Sequence, residues 1–216
     1  MGDDYEFAGL PLDGIRPGTS VLVSGPTHDG ARDLGMRLLA GAYDEGAIIV
    51  TTNQRASRVA EDCRRYGIDV RDDRTAILDC VGDDDDPDVP ARVLPVSGPS
   101  DLTGIGMRFS DVYREFKHTD IDRVRTGLCS VSTLLSFGDL RTVSRFIHTL
   151  VGRIDKVEGL GVFLVDPTGH DERAINTLAQ FCSGRIEVRD DDGTPQLRTR
   201  GLSGQPREWT AFDRQS

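Results

Sequence analysis

Five short apolar runs, set apart by stretches of helical periodicity, constrain this chain most. They read "SVLVSG" (20–25), "AIIVTT" (47–52), "TAILDCV" (75–81), "VRTGLCSV" (124–131) and "GVFLVD" (161–166). Near-continuous apolar runs of this length suit strands buried on both faces, the environment of a parallel sheet under helices. The intervening segments supply the helices. Leu34, Leu38, Leu39 and Ala42 share a face after the first run, and a helix over about 54–66 carries Val59 and Cys63. A shorter helix is expected over 109–118 and another over 171–181. The clearest is 139–155, where Val143, Phe146, Ile147, Leu150, Val151 and Ile154 recur at helical spacing and Asp139 can cap the start. Residues 184–202 read as two strands around an Asp-Gly turn. Strand–helix alternation predicts an α/β fold in three layers, mostly parallel, with helices on both faces. A chain of 216 residues suits a single domain over 1–216. The stretch 82–100, rich in Asp, Pro and Gly, breaks the pattern and reads as an exposed acidic excursion, with Asp83 to Asp86 a solvated run.

Charge narrows the setting. The net charge is -10, with 28 Asp against 8 Glu and 24 Arg against 2 Lys, Lys117 and Lys156. Short hydrated carboxylates in such excess, with lysine almost gone, indicate adaptation to high internal salt, as in a halophilic archaeon. A GC-rich genome would also favour Arg over Lys. Such a domain should loosen as the Debye length grows from ~3 Å at 1 M salt to ~30 Å at 0.01 M. A melting temperature equal in molar and ten-millimolar KCl would contradict that. A chain this acidic argues against a nucleic-acid partner bound through a broad basic face. No apolar run approaches the ~20 residues of a membrane span. The opening "MGDDYEFAGL" lacks the basic stretch and apolar core of a secretory signal, so a cytoplasmic location is expected. Cys63, Cys80, Cys129 and Cys182 are not in metal-binding spacing and are expected as reduced core cysteines.

The stretch "VLVSGPTHDGARDLGMRLL" (21–39) has the outline of a phosphate-binding loop: strand, glycine turn, amphipathic helix. In such a loop backbone N–H groups hold phosphate, a Lys neutralises it, and the next Ser/Thr hydroxyl holds magnesium. Here Gly25-Pro26-Thr27-His28-Asp29-Gly30-Ala31-Arg32 keeps the two glycines but has Ala31 at the Lys position and Arg32 at the hydroxyl position. Arg32 cannot stand in for the Lys, because one helical step turns it ~100° about the axis. Asp29 adds a negative charge where phosphate would sit.

"LPLDGIRPGTSVLVSGP" resembles the lead-in to that loop in the KaiC-like branch of the RecA superfamily, and the resemblance extends over about 10–210. It is nearest to the short KaiC-like proteins of halophilic archaea. In that family the strand matched by "AIIVTT" ends in a catalytic Glu-Glu pair, which falls here on Asn53-Gln54. "GLCSVSTLL" resembles the Walker B segment, whose magnesium-binding Asp falls on Cys129. "LRTRGL" resembles the strand whose basic residues reach a neighbouring subunit's nucleotide; Arg198 and Arg200 stand at those positions. The resemblance thus implies a RecA-like fold in which the catalytic positions Ala31, Asn53, Gln54 and Cys129 are degenerate. An amide can orient water but cannot take its proton, and a soft thiol suits magnesium poorly.

The expectation is a non-hydrolysing pseudo-ATPase, a regulatory or scaffolding subunit with no cofactor and no metal. Its partner would be a protein: an active KaiC-like relative, to whose nucleotide Arg198 and Arg200 could be offered, or a second copy. Any residual nucleotide would rest on Gly25, Pro26, Thr27, His28, Asp29, Gly30 and Arg32. The alternative is a weak or partner-dependent ATPase binding ATP with magnesium. Asp166 could serve as the Walker B carboxylate. "DPTGHDE" (166–172) gathers Asp166, His170, Asp171 and Glu172 beyond a strand end, where open α/β sheets bind ligands. A metal or catalytic pairing of His28 with His170 is a further option. The simpler expectation for this loop is a turn, with Asp171 capping the next helix.

Overall fold

The computed structural model describes residues 4–26, 28, 30–82 and 89–214. Among these, the elements run β1 (Ser20–Ser24), α1 (Ala31–Leu39), β2 (Glu45–Thr51), α2 (Ala56–Arg65), β3 (Thr75–Asp79), β4 (Arg92–Pro95), α3 (Leu102–Phe116) and β5 (Arg123–Cys129). There follow α4 (Val131–Phe137), α5 (Leu140–Lys156), β6 (Leu160–Val165), α6 (Glu172–Ala179), β7 (Gly184–Asp191), β8 (Thr194–Arg200) and β9 (Thr210–Ala211). The fold is α/β, built on one nine-stranded sheet in the order β4-β3-β2-β5-β6-β1-β7-β8-β9. Strands β1 to β7 pair in parallel, and β8 and β9 extend the sheet antiparallel.

The strand alternation sends side chains to two cores. Val21, Val23, Ala47, Ile49 and Ile186 pack with α1 and α2. Leu22, Ile48, Val50, Leu128 and Phe163 pack with α3, α5 and α6. Helix α5 buries Val143, Ile147, Leu150 and Ile154 completely, each contributing about 1.5–3 kcal/mol of transfer free energy. Asp139 caps it by accepting from Thr142 N at 3.0 Å.

Several expectations need correction. The stretch 82–100 is not all excursion: Arg92–Pro95 forms edge strand β4 beside β3, while Asp83 to Asp86 lie outside the described residues. Helix α3 begins at Leu102, not near 109, because Asp101 caps it through Gly104 N at 2.8 Å. Gly104 and Gly106, poor helix formers, hid that first turn in the sequence. Ala42 does not join the α1 face; the helix ends at Leu39 and Ala42 is exposed. The fourth strand stops at Cys129, and Val131 opens the short helix α4. Asp171 stands at the N-cap of α6, but its side chain makes no capping hydrogen bond.

A buried ion pair holds the pole of the sheet where β2 and β5 begin. Arg125 on β5 is 2% exposed. It pairs with Glu45 at the start of β2, and donates to Leu38 O at 2.9 Å and Glu6 O at 3.1 Å. The Leu38 carbonyl lies in the last turn of α1, where partners within the helix run out and the dipole favours a cation. The guanidinium also lies 5.2 Å from the Tyr5 ring centroid and 5.3 Å from that of Phe7. One side chain thereby ties the N-terminal segment, α1 and two central strands together.

Candidate functional site

The opposite pole holds the candidate site. Parallel pairing brings the ends of four strands into line: Ser24 of β1 faces Val165 of β6, and Cys129 of β5 stands between Leu164 and Thr51 of β2. The loops that follow these strands therefore meet. Gly25, Ala31, Arg32, Asn53, Cys129 and Asp166 line one small cleft of about 50 Å³. Residues far apart in sequence, at positions where the family resemblance puts nucleotide chemistry, are thus neighbours here.

The two glycines of the loop are close-packed. A Cβ at Gly25 would stand 2.6 Å from Val188 O, so only glycine fits. Gly30, at the N-cap of α1, has φ 102°, a left-handed conformation that favours glycine. The C-terminal region lies against it: a Cβ there would come within 3.1 Å of Pro195 Cβ and 3.4 Å of Phe212 Cζ. His28 is exposed. Thr27 and Asp29 lie outside the described residues.

Arg32 decides the electrostatics of the cleft. Its guanidinium turns toward α2, where it donates to Gln54 Oε1 and pairs with Asp62 Oδ2 at 2.5 Å. The Asp62 side chain is only 9% exposed, and Arg58 approaches its other oxygen at 3.8 Å. A cation at the mouth of a glycine loop would otherwise be free to meet an anion; this one is already held. Sequence reading missed Asp62, although its spacing from Val59 and Cys63 (i, i+3, i+4) puts all three on one helical face.

The other positions fit nucleotide chemistry no better. Cys129 is buried, and loss of solvation pushes its thiol up to about 11, so it stays neutral at pH 7 and offers magnesium no charge. Asn53 is exposed and carries no base. Asp166 is the carboxylate at the cleft, and it accepts from Thr168 N at 2.9 Å and from Thr168 Oγ1 at 2.5 Å, closing a turn of its own loop. The cavity measures about 50 Å³, against roughly 300–1,000 Å³ for an organic-ligand pocket. The described residues lining the cleft include no lysine and, apart from Asp166, no carboxylate.

Two further residues shape the site, and neither was legible in advance. Ser130, next to Cys129, has φ 98°, a strained conformation for a residue with a side chain. It is held by its own cap on Thr133 N at 3.2 Å and by Thr52 Oγ1, which donates to Ser130 O at 2.9 Å. Asp79, at the end of β3, is 5% exposed. It accepts from Ala56 N at 2.8 Å, Val81 N at 2.8 Å and Gly82 N at 3.0 Å. Its carboxylate thus caps α2, the helix that carries Asp62.

The remaining candidates lie apart from the cleft. Arg198 and Arg200 sit on the face of β8 away from Leu197 and Thr199, which are buried. Both reach Glu187 on β7, at 2.5 Å and 3.2 Å, and Arg198 also stacks on Trp209, 4.4 Å from the ring centroid. Burial would raise the Glu187 carboxyl, but the Arg198 hydrogen bond and the charges of Arg185, Arg198 and Arg200 outweigh it and hold it below the ordinary range. Among the described residues, no group of three or more His, Cys, Asp or Glu is placed to hold a metal. Beyond Asp166 at the cleft, His170, Asp171 and Glu172 form a surface turn leading into α6. The four cysteines are free thiols, three buried and Cys182 partly so. Among the described residues no helix is long and apolar enough to cross a membrane.

Comparison with curated proteins gives no match. A family model spans residues 18–188, from just before β1 into β7, and so takes in every loop of the cleft. The chain belongs to that family, DUF7504, a family of unknown function.

Proposed function

We propose that this chain is a KaiC-like protein of RecA-like fold that no longer hydrolyses nucleotide and works in the cytoplasm as a regulatory or scaffolding subunit, through contacts with other proteins. The observation that carries this reading is the Arg32 guanidinium, folded onto Gln54 and Asp62 across the mouth of the cleft. A loop that binds phosphate must present unspent positive charge and open backbone donors. This loop has alanine where the lysine would be, and the arginine that follows it is directed into an internal ion pair. The small cleft and the neutral Cys129 thiol support the same reading.

The carboxylate of Asp166 at the cleft is the one feature that favours the alternative, a weak ATP-binding protein whose activity depends on a partner. Phosphate release from ATP with magnesium in molar KCl separates the two. No release above the protein-free blank is expected from the chain alone, and in a mixture with an active KaiC-like relative from the same organism no release is expected that depends on Arg32 or Asp166 of this chain. Magnesium-dependent turnover that is lost in Arg32→Ala or Asp166→Asn would overturn the proposal.

A further inference from the structure

A second concavity, of about 730 Å³, runs between α5 and α6, and most of its charge has the opposite sign to the chain as a whole. Arg141, Arg145 and His148 follow at i, i+4 and i+7 along α5 and so line one wall. Arg173 of α6 stands among the lining residues with them. One carboxylate, Asp171, is present. Between the cations the surface is apolar: Leu140, Ala174 and the Phe181 ring, which lies 5.2 Å from the His148 ring. The Ser144 hydroxyl, on a lining residue only 6% exposed, has no hydrogen-bond partner among the described residues.

The contrast with other arginines is informative. Arg32, Arg125, Arg198 and Arg200 each hold a carboxylate. In a chain with 36 acids and 26 bases, carboxylates are in surplus. Yet among the described residues none pairs with the guanidinium of Arg141, Arg145 or Arg173, and these three share one groove. Unspent guanidiniums flanking apolar walls are complementary to carboxylates flanking an apolar side chain.

We propose that the α5–α6 groove is a docking site for an acidic segment of a partner protein, with carboxylates on Arg141, Arg145 and Arg173 and an apolar or aromatic side chain seated against Leu140 and Phe181. This names a surface for the protein contacts proposed above, but it does not depend on the state of the nucleotide cleft. A second copy fits less well, since a two-fold interface sets the same patch against itself and would bring the arginines together. Nucleic acid fits less well too, since its phosphates gain nothing from apolar walls and meet a chain of net charge -10.

The test uses the full chain in molar KCl and a fluorescent synthetic peptide alternating Asp or Glu with Leu or Phe, read by anisotropy. Saturable binding is expected, weakened roughly tenfold or more in Arg141→Gln with Arg145→Gln. It should be unchanged in Arg64→Gln, an exposed arginine on α2. Charge reversal by Arg173→Glu gives an independent reading from the other wall, should the α5 double variant fold poorly. A Lys-for-acid version of the peptide should not bind. No saturable binding, or binding indifferent to all three arginines, overturns the proposal. So does tighter binding of a single-stranded oligonucleotide through the same arginines, or a dimer that Arg145→Glu dissociates. None of these readings involves ATP or the cleft, so failure here is distinct from failure of the pseudo-ATPase reading.

Discussion

Arg125→Ala should destabilise the protein by about 3–5 kcal/mol, the cost of removing one partner from a buried ion pair. The side chain is almost wholly enclosed, so water cannot replace what it loses. The change would strip a charge partner from Glu45, which Arg123 approaches only at 3.6 Å, and would leave the Leu38 and Glu6 carbonyls without their donor. It would also open a cavity beneath Tyr5 and Phe7. At about 2–4 °C per kcal/mol for a chain of this size, the melting temperature should fall by roughly 6–20 °C. Replacing both partners, Arg125→Met with Glu45→Leu, should recover much of that loss, because no buried charge is then left unpaired. A double variant as unstable as the single one would show that packing, not charge, sets the cost. A single variant within 1 kcal/mol of the parent would contradict the account of this pole.

Asp79→Ala is expected to cost about 3 kcal/mol, because three backbone N–H groups lose one carboxylate acceptor and bonds to charged groups are worth about 1.5–3 kcal/mol each before water and relaxation recover part of it. The effect should be local first. The cap on Ala56 N anchors α2, so amide exchange should rise along α2 more than along α5. Asp79→Asn keeps an acceptor but loses the charge, and should fall between the parent and alanine. Uniform exchange across α2 and α5 in Asp79→Ala would mean that the carboxylate does not hold this helix.

The parts of the fold that were legible are those where one requirement dominates. A strand buried on both faces has to be apolar throughout, so "SVLVSG" and "GVFLVD" declared themselves as β1 and β6. Helix α5 was readable because Val143, Ile147, Leu150 and Ile154 form an unbroken stripe behind a capping aspartate. Where two local preferences competed, the sequence was ambiguous. The start of α3 has a good cap in Asp101 and a poor first turn in Gly104 and Gly106, and the cap prevailed. Ser130 takes a left-handed backbone that no local rule assigns to serine; beside the local bond from Thr133 N, the bond from Thr52 that holds it there depends on the assembled sheet. The cleft divides in the same way. That Gly25, Ala31, Asn53 and Cys129 would meet follows from parallel strand order once the runs are recognised. Which way Arg32 would turn depends on Asp62, thirty positions away, and an aspartate-rich chain offers many acids to choose from. The α5–α6 groove was not visible at all, since it arises from two helices whose packing the sequence does not specify.

The central proposal is that this chain holds no nucleotide, because the arginine beside its glycine loop is engaged with Gln54 and Asp62. Calorimetric titration of the chain with ATP, and separately with ADP, in molar KCl with magnesium tests it most directly. The account predicts no saturable heat for either nucleotide up to about 1 mM, the concentration at which even a binding free energy of about -4 kcal/mol would register. One-to-one binding with a micromolar dissociation constant, abolished when the loop is blocked by Gly30→Val, would contradict it.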